Sequence, residues 1–151
     1  MNNDEFYMEK AINLAKKAYD EGEIPVGAII VKHNEIIAEG YNQKDKLKLV
    51  TKHAELIAIE KANIYEKDWR LCDAIIYTTM EPCPMCASAI QQARIKKVIY
   101  GCPSNLAENH DIVYKILQSK ELNHVVEVNG GVLESKCSQI IKDFFKQKRA
   151  K

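Results

Sequence analysis

The chain has no apolar run long enough to cross a bilayer and no signal-peptide pattern at its start. A membrane-spanning role is therefore not expected, and a cytoplasmic protein is. Net charge is nearly absent: 22 Lys and Arg stand against 21 Asp and Glu, a balance of +1. No global electrostatic pull toward nucleic acid or a membrane surface follows from that balance. No internal repeat, linker or low-complexity stretch is visible, so one domain over 1–151 is expected, long enough for a real core. Cysteine is sparse and odd in number, five in all, which suits a reducing cytoplasm better than a disulfide framework.

What is present is concentrated in two short motifs about thirty residues apart. The first is His53-Ala54-Glu55 and the second Pro82-Cys83-Pro84-Met85-Cys86. Zinc takes thiolate sulfur and imidazole nitrogen readily, and structural zinc sites normally close with four such ligands. One His and two Cys make three. Three protein ligands leave the fourth position for water, as catalytic zinc sites do. Glu55 lies two residues from His53 and is not needed to hold the metal. It is free to move protons between that water and a leaving group, a role worth about 10²–10⁴-fold. Cys83 and Cys86, three apart, face the same way on a helical turn. Glu81-Pro82 reads as the entry to that helix, and His53 opens a second one over about 54–63. The positive end of a helix favours thiolates.

Other readings of these residues exist. A Cys-x-x-Cys pair in a cytosolic chain can be a redox pair, but that leaves His53 and Glu55 without purpose. A structural zinc would need a fourth ligand from Cys72, Cys102, Cys137, His33, His110 or His124, none of which has the paired spacing of such sites. Cys72, Cys102 and Cys137 read as small core residues.

Hydrophobic periodicity supplies the frame. Met8, Ala11, Ile12, Ala15, Ala18 and Tyr19 recur at helical spacing, so a helix is expected over 4–20, closed by Gly22. Residues 26–32 and 35–39 read as strands joined by a tight turn at His33-Asn34. A strand at 75–79, a helix at 83–93 and a strand at 97–101 form a crossover unit, which implies parallel pairing. A fifth strand at 125–129 and a last helix at 134–148 complete a mixed five-stranded sheet with helices on both sides. The expected fold class is α/β, a three-layer α/β/α sandwich.

The pattern H-x-E…P-C-x-x-C is that of zinc nucleobase deaminases. The chain resembles the cytidine deaminase-like superfamily, and within it the bacterial tRNA adenosine deaminases. The resemblance runs through Glu23-Ile24-Pro25-Val26-Gly27-Ala28, Asn42, Thr51 to Glu55, Trp69-Arg70-Leu71, Tyr77 to Cys83, Val98-Ile99-Tyr100-Gly101, Leu122-Asn123-His124 and Asp143-Phe144-Phe145. It implies that His53, Cys83 and Cys86 bind Zn2+ and that Glu55 shuttles protons. It implies further that Asn42 contacts the base or its ribose, that Ala54 offers its backbone N–H to the base edge, and that the protein is a homodimer acting on a tRNA anticodon loop.

The chain departs from that family after Gly101. The tRNA enzymes carry a pattern like D-x-K-x-G-x-x-G-S there, and this chain has Cys102-Pro103-Ser104-Asn105-Leu106-Ala107-Glu108-Asn109-His110-Asp111. Lys52 stands where a small Ala is usual, and Val50 replaces a Pro. Glu108 and Asp111, with His110, are candidate substrate-binding groups that would repel phosphate but accept hydrogen bonds from a base amino group. The motif Pro-Cys-Pro-Met-Cys with Tyr114-Lys115 also resembles free guanine deaminases, although the C-terminal half does not. Three functions remain open. One is editing of a tRNA adenosine, supported by whole-chain similarity and the basic tail of Lys146, Lys148, Arg149 and Lys151, which can equally be a solvated helix end. The second is deamination of a free base or nucleoside of guanine, adenine or cytosine type. The third, a catalytically idle zinc-binding or assembly protein, gives no reason to keep Glu55.

Overall fold

The computed structural model describes residues 3–104 and 107–150; at 107, 108 and 150 it describes the backbone. The chain begins with helix α1 (Asn3–Asp20), whose Met8, Ala11, Ile12, Ala15 and Ala18 are buried at the expected spacing. Gly22, at φ 81°, turns the chain into strand β1 (Gly27–Lys32). The hairpin to β2 (Glu35–Tyr41) is made by His33 and Asn34, both left-handed at φ 50° and 64°. Two successive left-handed residues suit the right-handed twist of the flanking strands, so His33 is a turn residue.

A single helical turn, α2 (Lys44–Leu47), is followed by α3 (Ala54–Glu66), β3 (Ala74–Met80), α4 (Pro84–Gln92) and β4 (Lys97–Cys102). Helix α5 (Ala107–Gln118), the short strand β5 (Glu127–Asn129) and α6 (Glu134–Ala150) complete the chain. The sheet order is β2-β1-β3-β4-β5. Strand β1 is antiparallel to both β2 and β3, whereas β3, β4 and β5 run parallel. This is the expected mixed five-stranded sheet. Helices α1 and α6 pack on one face, α3 and α4 on the other, with α5 against α4.

Three elements differ from the sequence-based expectation. The fifth strand starts at Glu127 rather than 125, because the Val126 amide donates to the Leu117 carbonyl at the end of α5. Helix α4 starts at Pro84 rather than Cys83, which makes Pro84 the first-turn proline instead of Pro82. The segment read as a substrate loop, 102–111, is partly helical, since α5 begins at Ala107 and buries Val113 and Leu117.

Small residues set the depth at which the site-bearing helix lies. A Cβ placed on Gly40 of β2 would overlap the Ala54 carbonyl oxygen and come within 2.9 Å of the Ala58 amide. Glycine there lets the first turn of α3 lie directly on the sheet. Gly40→Ala must push α3 outward, and overpacking of this kind costs about 1–3 kcal/mol. Equilibrium urea unfolding should show that loss; an unchanged midpoint would mean that α3 is free to shift.

Candidate active site

Two helix starts meet at the end of the sheet. His53 is the N-cap of α3 and Cys83 the N-cap of α4, both with extended backbone (φ −76°, ψ 155° and φ −74°, ψ 170°). N-caps are usually Ser, Thr, Asp or Asn, whose side-chain oxygen takes an unpaired helix amide. Neither His53 nor Cys83 makes such a bond. Their side chains turn toward each other instead. His53 Nδ1 lies 3.7 Å from Cys83 Sγ and 3.6 Å from Cys86 Sγ, one turn further along α4.

The spacing fits a metal. Zn–S of about 2.3 Å and Zn–N of about 2.0 Å at a tetrahedral angle put S and N about 3.5 Å apart. The three donor atoms lie within 4.8 Å of one another, and among the described residues no further Cys, His, Asp or Glu joins the group. Two soft sulfurs and one imidazole select zinc over hard-ligand cations. The pair of thiols is polarised: Cys86 donates to Cys83, which holds Cys83 down at about 4 and pushes Cys86 up. The bond from Cys83 raises the His53 imidazole above its usual value against the effect of burial, and the nearby Lys44 ammonium opposes it.

Glu55 stands in the first turn of α3 and is 4% exposed. Burial pushes its carboxyl up to about 7, although its own backbone amide hydrogen-bonds the charged form. A carboxyl near neutrality can both accept and release a proton at working pH.

These residues wall a cavity of about 150 Å³ together with Ile24, Val26, Asn42, Lys44, Ala54, Met80, Glu81 and Ser104. Of the residues singled out from sequence, His53, Glu55, Cys83, Asn42 and Ala54 line it. Cys86 sits behind Cys83, fully buried. The Asn42 amide donates to the Ile24 carbonyl at 3.2 Å and accepts from the Lys44 amide at 3.3 Å. Asp111 is not brought to the cavity; it is exposed and lines a separate open groove on α5. The Glu108 side chain lies outside the described residues. His110, one helical step from Asp111, is also exposed and lines the same groove, but its Nδ1 donates to Glu81 Oε2 at 2.6 Å. The other Glu81 oxygen accepts from the Ser104 amide at 3.2 Å. Glu81, Lys44 and Ser104 were not anticipated as wall residues. The Glu81–His110 contact spans 29 positions, so no local pattern announces it.

A second groove, of about 370 Å³, shares Met80 with the cavity and is lined by Pro103, Lys142, Phe145 and Arg149 of the C-terminal half. None of the remaining thiols belongs to the ligand group: Cys72 is exposed, Cys102 and Cys137 are buried, and all five cysteines are free.

The family model described as the cytidine and deoxycytidylate deaminase zinc-binding region matches residues 1–102. The chain belongs to this deaminase family. It is a zinc-dependent enzyme that hydrolyses a C–N bond and releases ammonia from a nucleobase. Relatives of the family that it resembles include the tRNA-specific adenosine deaminase of Streptococcus pyogenes serotype M18, 42% identical over 95% of this chain and 91% of the relative. Another is the tRNA-specific adenosine deaminase of Bacillus subtilis, 40% identical over 100% of this chain and 94% of the relative. Among solved structures, a tRNA:A34 deaminase studied for A-to-I editing at the wobble position superposes with TM-score 0.82 at 33% identity, covering 89% of this chain and 98% of that one. The guanine deaminase of Nitrosomonas europaea superposes with TM-score 0.75 over 93% of this chain and 83% of its own, but at 17% identity the likeness is one of fold alone.

Proposed function

We propose that this deaminase converts adenosine to inosine at the wobble position of a tRNA anticodon. The observation that carries the reading is the 40–42% identity to tRNA-specific adenosine deaminases over at least 95% of the chain. The groove that shares Met80 with the cavity supports it. Phe145, 36% exposed, offers a face on which a base can stack, and Lys142 and Arg149 offer phosphate partners. A free base has no use for such an extension.

In this reading His53, Cys83 and Cys86 hold the zinc. Bound there, zinc supplies Lewis acidity, lowering the pKa of a coordinated water from 15.7 toward about 7. Glu55 takes the proton of the attacking water as its oxygen adds to C6 of the adenine, then delivers a proton to the amino nitrogen as the C–N bond breaks. Water and adenosine go in; inosine and ammonia come out. Asn42 and the Ala54 amide, which line the cavity, orient the base. The domain spans 1–151 and acts in the cytoplasm; no helix of the described residues is long and apolar enough to cross a membrane. We assign it a homodimeric state, supported by exposed Ile64 and Tyr65 on α3 and exposed Trp69 just beyond it.

The test is incubation of zinc-loaded protein with an unmodified tRNA carrying wobble adenosine and, separately, with a panel of free bases and nucleosides, reading inosine and ammonia. Inosine at the wobble position supports the assignment; ammonia from a free base alone refutes it. The groove gives a companion prediction. Replacing Lys142 and Arg149 by Ala should reduce the slope of log affinity against log salt by roughly one unit per lost phosphate contact. An unaltered slope in a binding titration would remove the groove from the RNA path.

A further inference from the structure

Lys44 stands where the deamination chemistry has no use for it. It opens α2, is half-buried, and lines the cavity beside Asn42 and Ser104. Its placement is built into the fold. Asn42 Oδ1 accepts the Lys44 amide, and the next two amides, of Asp45 and Lys46, donate to the two carboxylate oxygens of Glu23 at 3.1 and 2.7 Å. Glu23 is 1% exposed, so a buried carboxylate with both oxygens occupied fixes the four-residue turn from which Lys44 lines the cavity. Of the lysines nearby, Lys46 pairs with Glu21 and Lys52 with Glu60, whereas Lys48, the exposed C-cap of α2, lies outside the cavity lining. Among the described residues Lys44 has no carboxylate partner.

A cavity of about 150 Å³ encloses a base and leaves the attached sugar and phosphate at its mouth. A lysine that lines this cavity without a carboxylate partner among the described residues matches a phosphate. We propose that Lys44 is a phosphate-binding, specificity-determining residue that engages the backbone of the RNA whose base enters the cavity. This rests on the polynucleotide reading given above. The competing role is neutralisation of Glu55 and Glu81, the carboxyl groups that line the same cavity, and that role would act on every substrate alike.

Zinc-loaded wild type, Lys44→Met and Lys44→Arg are compared on an anticodon stem-loop RNA with wobble adenosine, on adenosine 5′-monophosphate and on adenosine. KM and kcat are read separately, and the salt dependence of RNA binding is read by fluorescence anisotropy. With Lys44→Met, KM for the RNA should rise roughly tenfold, and the salt slope should shrink by about 0.7. The kcat should stay within about twofold, adenosine turnover should be unchanged, and Lys44→Arg should restore RNA binding. A loss on RNA alone assigns the contact to a neighbouring phosphodiester. A matching loss on the monophosphate assigns it to the phosphate of the target nucleotide; both outcomes uphold the phosphate site. An equal loss on adenosine, or an unchanged salt slope, overturns it. Inosine formation by the wild type with an indifferent Lys44→Met fails this proposal alone, whereas no inosine from the wild type fails the tRNA reading and this proposal with it.

Discussion

Glu55→Ala is expected to abolish turnover while leaving fold and zinc intact. The side chain is buried, lines the cavity and is absent from the ligand group of His53, Cys83 and Cys86. In the proposed reaction it serves twice in one cycle, first taking a proton and then giving one. Each transfer by a positioned group is worth about 10²–10⁴-fold, so a combined loss of at least about 10³-fold in kcat is expected. Glu55→Gln should fall equally far, because it keeps the shape of the side chain and removes its capacity to carry a proton. Stability should not fall with activity. A carboxyl pushed up to about 7 by burial is held in surroundings that disfavour its charge, and residues of that kind are often retained at a cost to stability. Urea unfolding of the Ala variant should give a midpoint equal to or above that of the wild type, with about one zinc per chain by atomic emission. Near-normal deamination by either variant would mean that another group carries the proton.

Which of these features a sequence can display follows from how local they are. The ligand trio is legible because its members sit in two compact motifs, each at a helix start. The frame that carries them is legible from sequence pattern: Met8, Ala11, Ala15 and Ala18 on α1, the apolar run of β1, and the tight turn at His33-Asn34. Helix α5 escaped because its first turn is polar, with Glu108, Asn109, His110 and Asp111 in succession, and only Val113 and Leu117 further on mark its buried face. That oversight moved Asp111. In a loop it can face the cavity, but on a helix successive residues are about 100° apart, so His110 reaches Glu81 while Asp111 faces the open groove on α5. Lys44 and Glu23 escaped for a different reason. Their meaning lies in contacts across about twenty positions, in which a buried carboxylate caps a turn too short to show any period. The divergence after Gly101 drew attention to repulsion of phosphate. The cations that line the cavity and the neighbouring groove, Lys44, Lys142 and Arg149, stand on α2 and α6, outside that segment.

Cys86→Ala is expected to cost the enzyme both its metal and its activity, and the thiols report the two losses separately. Cys86 is fully buried in the first turn of α4, where Ala is well tolerated by the helix, so the backbone should hold. Removing its sulfur leaves two donors, His53 Nδ1 and Cys83 Sγ, 3.7 Å apart. Two ligands do not retain zinc against dialysis, and metal content should drop from about one per chain to well below about 0.1. In the zinc-loaded wild type the only fast-reacting thiol should be Cys72, the one exposed cysteine. Cys102 and Cys137 stay silent because burial both shields them and pushes their thiols up to about 11 and about 12. Cys83 and Cys86 stay silent while they hold the metal. A chelator should therefore raise the count of reactive thiols in the wild type. Cys86→Ala should show the extra reactive thiol, Cys83, with no chelator present. Because zinc affinity is part of folding free energy, the variant should also unfold at lower urea than the loaded wild type and at the same urea as the chelated one. A Cys86→Ala protein that keeps one zinc and a single fast thiol would place the metal on other ligands and dismantle the site described here.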